Sequence, residues 1–385
     1  MIEQSPEHAA FRETVRRFLH ERVLPRLDEW EDDGCIDRWL FREAGEQGLL
    51  GFPVPEEHGG PGVRDFRYQA ILVEETFRAG ASALGVALSV HNDVTLPYLT
   101  DLGTPEQQAR WLPGVVSGER LLAIAMTEPG AGSDLAGIRT SAVRDGDHYV
   151  VNGAKTFISN GQNADLFVVA VRTSPDRHGG LSLLAVERDT AGFSRGRNLD
   201  KIGLHAQDTS ELAFTDARVP VANRLGEEGE GFGYLVRNLP QERLSLAVGA
   251  VGAAEGVLAQ TLDHVREREA FGKPLAALQG VRLLVAELAT ELDAARVFVD
   301  DCVREHLAGE LTAARAAAVK WWTTELQVRV ADRCLQLHGG YGYMREYPVS
   351  RAFVDARVQT IYGGATEVLK DLVGKDALGL GSRHG

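Results

Sequence analysis

Three patterns of apolar and polar positions follow one another along the chain. In residues 1 to about 120 the apolar side chains recur at helical spacing, with Phe11, Val15, Phe18 and Leu19 on one face. Thr104-Pro105-Glu106-Gln107 has the order of a helix start: Thr as cap, Pro in the first turn, and Gln where a capping box needs it. Gly59-Gly60-Pro61-Gly62 reads as a loop. From about 121 to 225 the pattern changes to strands, with short apolar runs at 121–126, 149–151, 166–171 and 181–186. Asn152-Gly153 is expected to turn a hairpin, because this pair tolerates positive φ. No helical pattern separates the last two runs, which favours an antiparallel barrel over a doubly wound sheet. From about 226 the chain is rich in Ala, Leu, Glu and Arg, and helices are expected near 241–270, 276–307, 311–338 and 364–373. The expected architecture is multidomain α+β: an N-terminal helical domain (1–120), a middle antiparallel β-barrel (121–225) and a C-terminal antiparallel helical bundle (226–385).

Composition narrows the class. A chain of 385 residues exceeds one simple core and implies two or three domains. The net charge of −14 disfavours nonspecific nucleic-acid binding, which needs a basic surface. No apolar run approaches the roughly 20 residues that cross a bilayer, so no membrane partner is expected. The first residues, MIEQSPEHAAFRETVRRF, lack a secretory apolar block and are too acidic for a typical transit peptide. The expected location is the cytoplasm of a bacterium, or the mitochondrial matrix for a processed eukaryotic protein. Cys35, Cys302 and Cys334 lie far apart and make neither metal-ligand spacing nor a disulfide framework, which fits a reducing compartment. No His cluster suggests a metal.

Several motifs carry candidate chemistry. Met126-Thr127-Glu128-Pro129-Gly130-Ala131-Gly132-Ser133-Asp134 follows an apolar run. It reads as a tight loop whose backbone N–H groups and hydroxyls can meet polar cofactor atoms, or more plainly as a turn between strands. Arg268-Glu269-Ala270-Phe271-Gly272-Lys273-Pro274-Leu275 ends a helix, and Gln336-Leu337-His338-Gly339-Gly340-Tyr341-Gly342-Tyr343 reads as another C-terminal cap. There is no GxxxxGK phosphate loop, and Gly229-Glu230-Gly231-Phe232-Gly233 has the wrong spacing for a dinucleotide fingerprint. Gly132-Ser133-Asp134 lacks the second Gly of a nucleophile elbow. Two further segments are the most informative: Leu239-Pro240-Gln241-Glu242-Arg243-Leu244 and Ile361-Tyr362-Gly363-Gly364-Ala365-Thr366-Glu367.

Together these motifs resemble the acyl-CoA dehydrogenase family of FAD-dependent enzymes, over nearly the whole chain and most closely its long-chain branch. Most of that family has a catalytic Glu where this chain has Gly363, whereas a smaller branch has it where Glu242 stands. The resemblance implies α,β-dehydrogenation of an acyl thioester, with Glu242 taking the α-proton and flavin N5 the β-hydride. It implies FAD contacts at Ile124, Ala125, Met126, Thr127, Glu128, Pro129, Gly130, Ala131, Gly132 and Ser133. Phe157, Ile158 and Ser159 would form a second flavin wall, with Phe157 where many relatives have Trp. Arg268 and Phe271 would meet the diphosphate and adenosine portion, for which an Arg fork is suited, and Gln279 matches another cofactor contact. Gln336, Leu337, His338, Gly339 and Gly340 would reach a cofactor across a subunit interface, and Ala365, Thr366 and Glu367 would complete the site. Ser133, Pro240, Gln241, Arg243, Gly363 and Gly364 are the implied substrate contacts, Gly363 through a backbone N–H on the thioester carbonyl. The two glycines are expected to leave room for the acyl chain and for a base arriving from the other helix. A homotetramer and an electron-transferring flavoprotein are the implied partners.

The residues around Glu242 leave its charge state open. Leu239, Leu246 and Gly249 share its helix face, and burial there raises a carboxyl pKa. A helix beginning at Pro240 would place Glu242 in the first turn, where the dipole favours the charged form, and Arg243 acts in the same sense. Three other readings stand beside the main one: the same reaction on a carrier-protein thioester, a flavin monooxygenase on this fold, and a non-catalytic flavin-binding subunit. Glu242 argues against the monooxygenase, which usually lacks that carboxylate.

Overall fold

The computed structural model describes residues 5–380. Seven helices come first: α1 (Pro6–Phe18), α2 (Leu27–Asp33), α3 (Arg38–Glu46), α4 (Phe66–Arg78), α5 (Ser82–Ser89), α6 (Leu96–Leu102) and α7 (Pro105–Val116). The capping box at α7 forms as its sequence suggests. Gln107 N donates to Thr104 Oγ1 at 3.3 Å, and Thr104 N donates to Gln107 Oε1 at 2.9 Å. Between α5 and α6 the chain winds as a π-helix over Val90–Thr95, a wide turn often found at functional sites.

Eight strands follow: β1 (Leu122–Ala125), β2 (Ser141–Asp145), β3 (His148–Ser159), β4 (Leu166–Arg172), β5 (Leu181–Glu187), β6 (Phe193–Asn198), β7 (Thr209–Pro220) and β8 (Arg224–Leu225). They form one sheet in the order β6-β7-β3-β2-β4-β5-β8, with β1 paired to β4. β4 is apolar at nearly every position because both its faces are covered. Leu166, Val168 and Ala170 pack with Leu99, Trp111 and Leu112 of the helices. Phe167, Val169 and Val171 pack with Tyr149, Val151 and Leu212 of the sheet.

Two expectations for this region need correction. The sheet is not a closed antiparallel barrel: its ends, β6 and β8, do not pair among the described residues, and β1 runs parallel to β4. The absence of a crossover helix excludes a doubly wound sheet but does not dictate closure. Asn152-Gly153 does not turn the hairpin either. β3 runs straight through it with a bulge, where Gly153 has φ 148° and a Cβ would strike Thr140. The β2–β3 turn uses Gly146 at φ 64° instead.

The last region holds α8 (Gly231–Glu267), a short hairpin of β9 (Glu269–Ala270) and β10 (Lys273–Pro274), then α9 (Gln279–Leu307), α10 (Ala313–His338), α11 (Pro348–Ala356) and α12 (Thr366–Ala377). α8 starts at Gly231, well before the expected 241, and carries Pro240 in its interior. By length and composition alone α8 could cross a bilayer, contrary to the reading of the apolar runs. It is instead the central helix of the bundle, with 72% of its most apolar window buried. Its core residues Leu244, Val248 and Val251 join those of α4, α9 and α10.

Candidate active site

A cavity of about 270 Å³ lies where α5, the π-turn, β1, β3, α8 and the loop before α12 meet. Leu239, Glu242, Ser245 and Leu246 present one stripe of α8 to it. Because α8 begins at Gly231, Glu242 lies far from the helix N-terminus and the dipole has little hold on it. Its side chain is 6% exposed, and Tyr98 Oη donates to Oε1 in a long 3.5 Å hydrogen bond. Burial, reinforced by the nearby Asp93 carboxyl, pushes the Glu242 pKa up to about 8, against the opposing pull of Arg243 and Tyr98. The sign left open by the residues alone is thus upward.

Asp93 sits in the π-turn and is itself buried. Gln69 Nε2 donates to its Oδ1 at 3.0 Å, Ser245 Oγ donates to Oδ2, and Gln241 Nε2 donates to its backbone O at 3.0 Å. Burial pushes Asp93 up to about 7. Two buried carboxyls with raised proton affinity therefore act on each other, and neighbouring acids of this kind are typical of proton-transfer sites.

Gly363 and Gly364 form the facing turn, with φ of 63° and 104°. A Cβ on Gly363 would lie 2.3 Å from Leu246 Cδ1. The room left by the missing side chain is thus filled by Leu246, one turn beyond Glu242 on the same helix, rather than by the base itself. The turn is held from behind: Arg243 Nε donates to Gly363 O at 3.4 Å and Lys320 Nζ donates to Gly364 O at 2.9 Å. Burial, with Arg243 nearby, lowers Lys320 to about 7.

The opposite wall comes from the sheet. Ile124, Met126, Thr127, Gly132 and Ser133 line the cavity, as do Phe157, Ile158 and Ser159. Thr156 N donates to Thr127 O at 2.9 Å and fastens the first loop to β3. Ala125 and Ala131 are buried, and Pro129 and Gly130 are exposed. Glu128 turns inward: its carboxylate pairs with the buried Lys155 Nζ at 2.8 Å and accepts the N–H groups of Arg139 and Thr140. Burial raises its pKa, but Lys155 and these donors outweigh that and hold the carboxyl below its usual range. Glu128 therefore shapes the loop from within. Phe157, at φ 58°, leaves 68% of its side chain exposed on the cavity wall. Such an uncovered aromatic face, in a cavity that Thr127 and Ser159 also line, suits a flat polar-edged ring.

The remaining motif residues divide between two places. Arg268 stacks over Tyr341 at 5.5 Å, His338 stacks on His264 at 4.0 Å, and Phe271 is 92% exposed in the β9–β10 turn. Gln279 opens α9, while Gln336, Leu337, Gly339 and Gly340 lie at and just past the end of α10. None of this group lines the cavity of its own chain. Ala365 precedes α12 without a side-chain cap, Thr366 Oγ1 donates to Thr360 O at 3.4 Å, and Glu367 lies exposed in the first turn. Pro240 and Gln241 do not reach the cavity either.

Comparison with known proteins decides the family. The profile described as acyl-CoA dehydrogenase, N-terminal domain, matches residues 5–119; those for the middle and C-terminal domains match 123–217 and 229–378. The chain belongs to the acyl-CoA dehydrogenase family. It is 47% identical over 375 residues to the mitochondrial long-chain specific acyl-CoA dehydrogenase of Sus scrofa, covering 97% of this chain and 86% of that protein. A crystal structure of an acyl-CoA dehydrogenase from Geobacillus kaustophilus superposes with TM-score 0.96 at 48% identity, over 98% of this chain and 100% of that one. A glutaryl-CoA dehydrogenase from Mycobacterium smegmatis in complex with FADH2 superposes with TM-score 0.91 at 28% identity, over 98% and 95%. Membership in the acyl-CoA dehydrogenases brings FAD as cofactor and acyl-CoA dehydrogenation as reaction.

Motif reading missed Asp93, Tyr98, Lys320 and Phe77 beside the cavity. For Asp93 a signal existed: His91-Asn92-Asp93 interrupts the apolar stretch 83–99 with three consecutive polar residues, all of them buried.

Proposed function

We propose that Glu242 is the base of this acyl-CoA dehydrogenase, and that the Gly363–Gly364 turn binds the thioester. The observation that carries this reading is a buried carboxyl, with proton affinity raised toward neutrality, sharing one cavity with the sheet wall that fits a flavin. The α-proton of a thioester is a weak acid, and a base of raised pKa in a water-poor cavity matches it better than an exposed carboxylate. FAD, when bound, supplies the hydride acceptor for Cβ. Ile124, Met126, Thr127, Ser133 and residues 157–159 would hold its ring. Glu242 would receive the proton at its carboxylate, and Gly363 N–H would polarise the carbonyl as charge moves onto oxygen. Lys320 and Arg243, anchored on the two carbonyls of that turn, keep the N–H aimed.

The residues around Arg268 and His338, together with exposed Phe271, fit a homotetramer in which they would complete a neighbouring subunit's cofactor site. An electron-transferring flavoprotein is the proposed electron acceptor, and the bacterial cytoplasm the proposed place of action. Residues 1–120, 121–225 and 226–385 are the proposed domains. The test mixes the purified holoprotein anaerobically with a panel of acyl-CoA and acyl-carrier-protein thioesters and follows flavin bleaching. Bleaching by acyl-CoA, abolished in Glu242→Gln, is expected. Bleaching by carrier-bound acyl groups alone would replace the substrate, and no bleaching at all would overturn the dehydrogenation of thioesters.

A further inference from the structure

The active cavity has a second chamber behind it. That chamber, about 190 Å³, is lined by Leu24, Leu27, Ala253 and Val257 and equally by polar and charged residues, among them Arg78 and Asp355. Phe77, near the end of α4, lines both spaces. The order of residues along two helices shows that the two lie on one line. On α8, Glu242, Ser245 and Leu246 face the active cavity, Gly249 abuts the Phe77 ring, and Ala253 and Val257 face the second chamber. On α5, read backwards, Val86 and Ser89 face the active cavity, Gly85 abuts the ring, and Ser82 faces the second chamber.

Both glycines exist at the ring's expense of space. A Cβ on Gly85 would lie 2.4 Å from Phe77 Cε2, and one on Gly249 would lie 3.1 Å from the same atom. The ring is therefore inserted between α5 and α8, 2% exposed and flanked by bare backbone on both sides. It is a plug that separates the second chamber from the cavity lined by Glu242, and so closes a channel between them.

We propose that Phe77 determines acyl-chain length by closing this channel, making the protein a dehydrogenase of medium-length straight acyl-CoAs. This rests on the acyl-CoA reading given above. From Glu242 to Gly249 is seven helical residues, a rise of about 10 Å. An extended hydrocarbon chain advances a little over 1 Å for each C–C bond of about 1.5 Å, so roughly eight to ten carbons reach the ring. A longer chain must fold back or displace Phe77. With the ring removed, the chamber between Ala253 and Val257 would take several more carbons.

The test measures kcat/KM of the holoenzyme for straight-chain substrates from butyryl-CoA to stearoyl-CoA. The wild type is expected to peak near octanoyl- and decanoyl-CoA and to fall by about tenfold or more at palmitoyl-CoA, since a few misplaced methylenes suffice for that factor. Phe77→Ala is expected to raise the palmitoyl-to-octanoyl ratio about tenfold. The milder Phe77→Leu should raise it less and guards against a misfolded alanine variant. Adding Ala253→Phe to either variant should cancel the gain by refilling the chamber, an effect that mere loosening of the core would not produce. A wild type that handles palmitoyl-CoA as well as octanoyl-CoA, or ratios unmoved by both Phe77 variants, would overturn the role of Phe77 while leaving the dehydrogenase intact. Failure of every acyl-CoA to bleach the wild-type flavin would instead overturn the underlying reading, and this inference with it.

Discussion

Replacing Glu242 by Gln tests the site through stability as well as turnover. The side chain keeps its size and its partner Tyr98 but can no longer ionise. In the folded protein the carboxyl titrates near 8, against 4.5 for an ordinary Glu. A folded pKa raised above the unfolded one means the native state binds the proton more tightly. The associated stability is complete below pH about 4.5 and is lost as the pH rises toward and through 8. At about 1.4 kcal/mol per pH unit, the gap corresponds to an upper scale of roughly 5 kcal/mol. Coupling to Asp93 spreads part of this over both groups, so a few kcal/mol is the expected net size. Urea unfolding of wild type and Glu242→Gln at pH 5 and pH 8.5 should show the variant gaining that much relative stability at the higher pH, while anaerobic flavin bleaching by acyl-CoA disappears. Parallel stability curves at the two pH values would show that Glu242 is solvated rather than buried. Turnover at the wild-type rate would move the base elsewhere.

Other substitutions probe the surroundings. Asp93→Asn removes the neighbouring charge while retaining an acceptor for Ser245, so the acidic limb of the kcat/KM pH profile should move to lower pH, by up to about one unit. In a Glu242→Gln background, Gly363→Glu should fail to restore activity and should destabilise by about 1–3 kcal/mol in thermal melts, because its Cβ meets Leu246 and its backbone has φ 63°. Glu128→Gln strands the buried Lys155 and should cost about 3–5 kcal/mol in stability, with weakened flavin retention measured by ultrafiltration.

How much was legible in the residues depended on whether the information was local. The capping box at Thr104 needs only four consecutive residues, and it formed as read. The strand runs at 166–171 and 181–186 were evident because burial on both faces leaves an unbroken apolar signature. Sheet closure was not, since it depends on pairing between distant edges. The start of α8 was misplaced because Pro240 looks like a first-turn proline; its tertiary surroundings carry the helix through it. At the site, the motifs named the residues that line the cavity from β1, β3 and α8. They could not show that Glu128 faces inward to Lys155, or that Asp93 from a distant π-turn comes close enough to bias Glu242. Both facts depend on long-range packing that no linear pattern encodes.

The lodging of Leu246 above Gly363 has an evolutionary meaning. The two places a carboxylate could occupy on this scaffold are interlocked, because the side chain one helical turn past the first fills the room the second would need. Descent from one arrangement to the other cannot proceed by a single exchange. A carboxylate at 363 would have to push the Leu246 tip aside and sit on backbone at φ 63°, so a form with two acids or with none lies between the two arrangements.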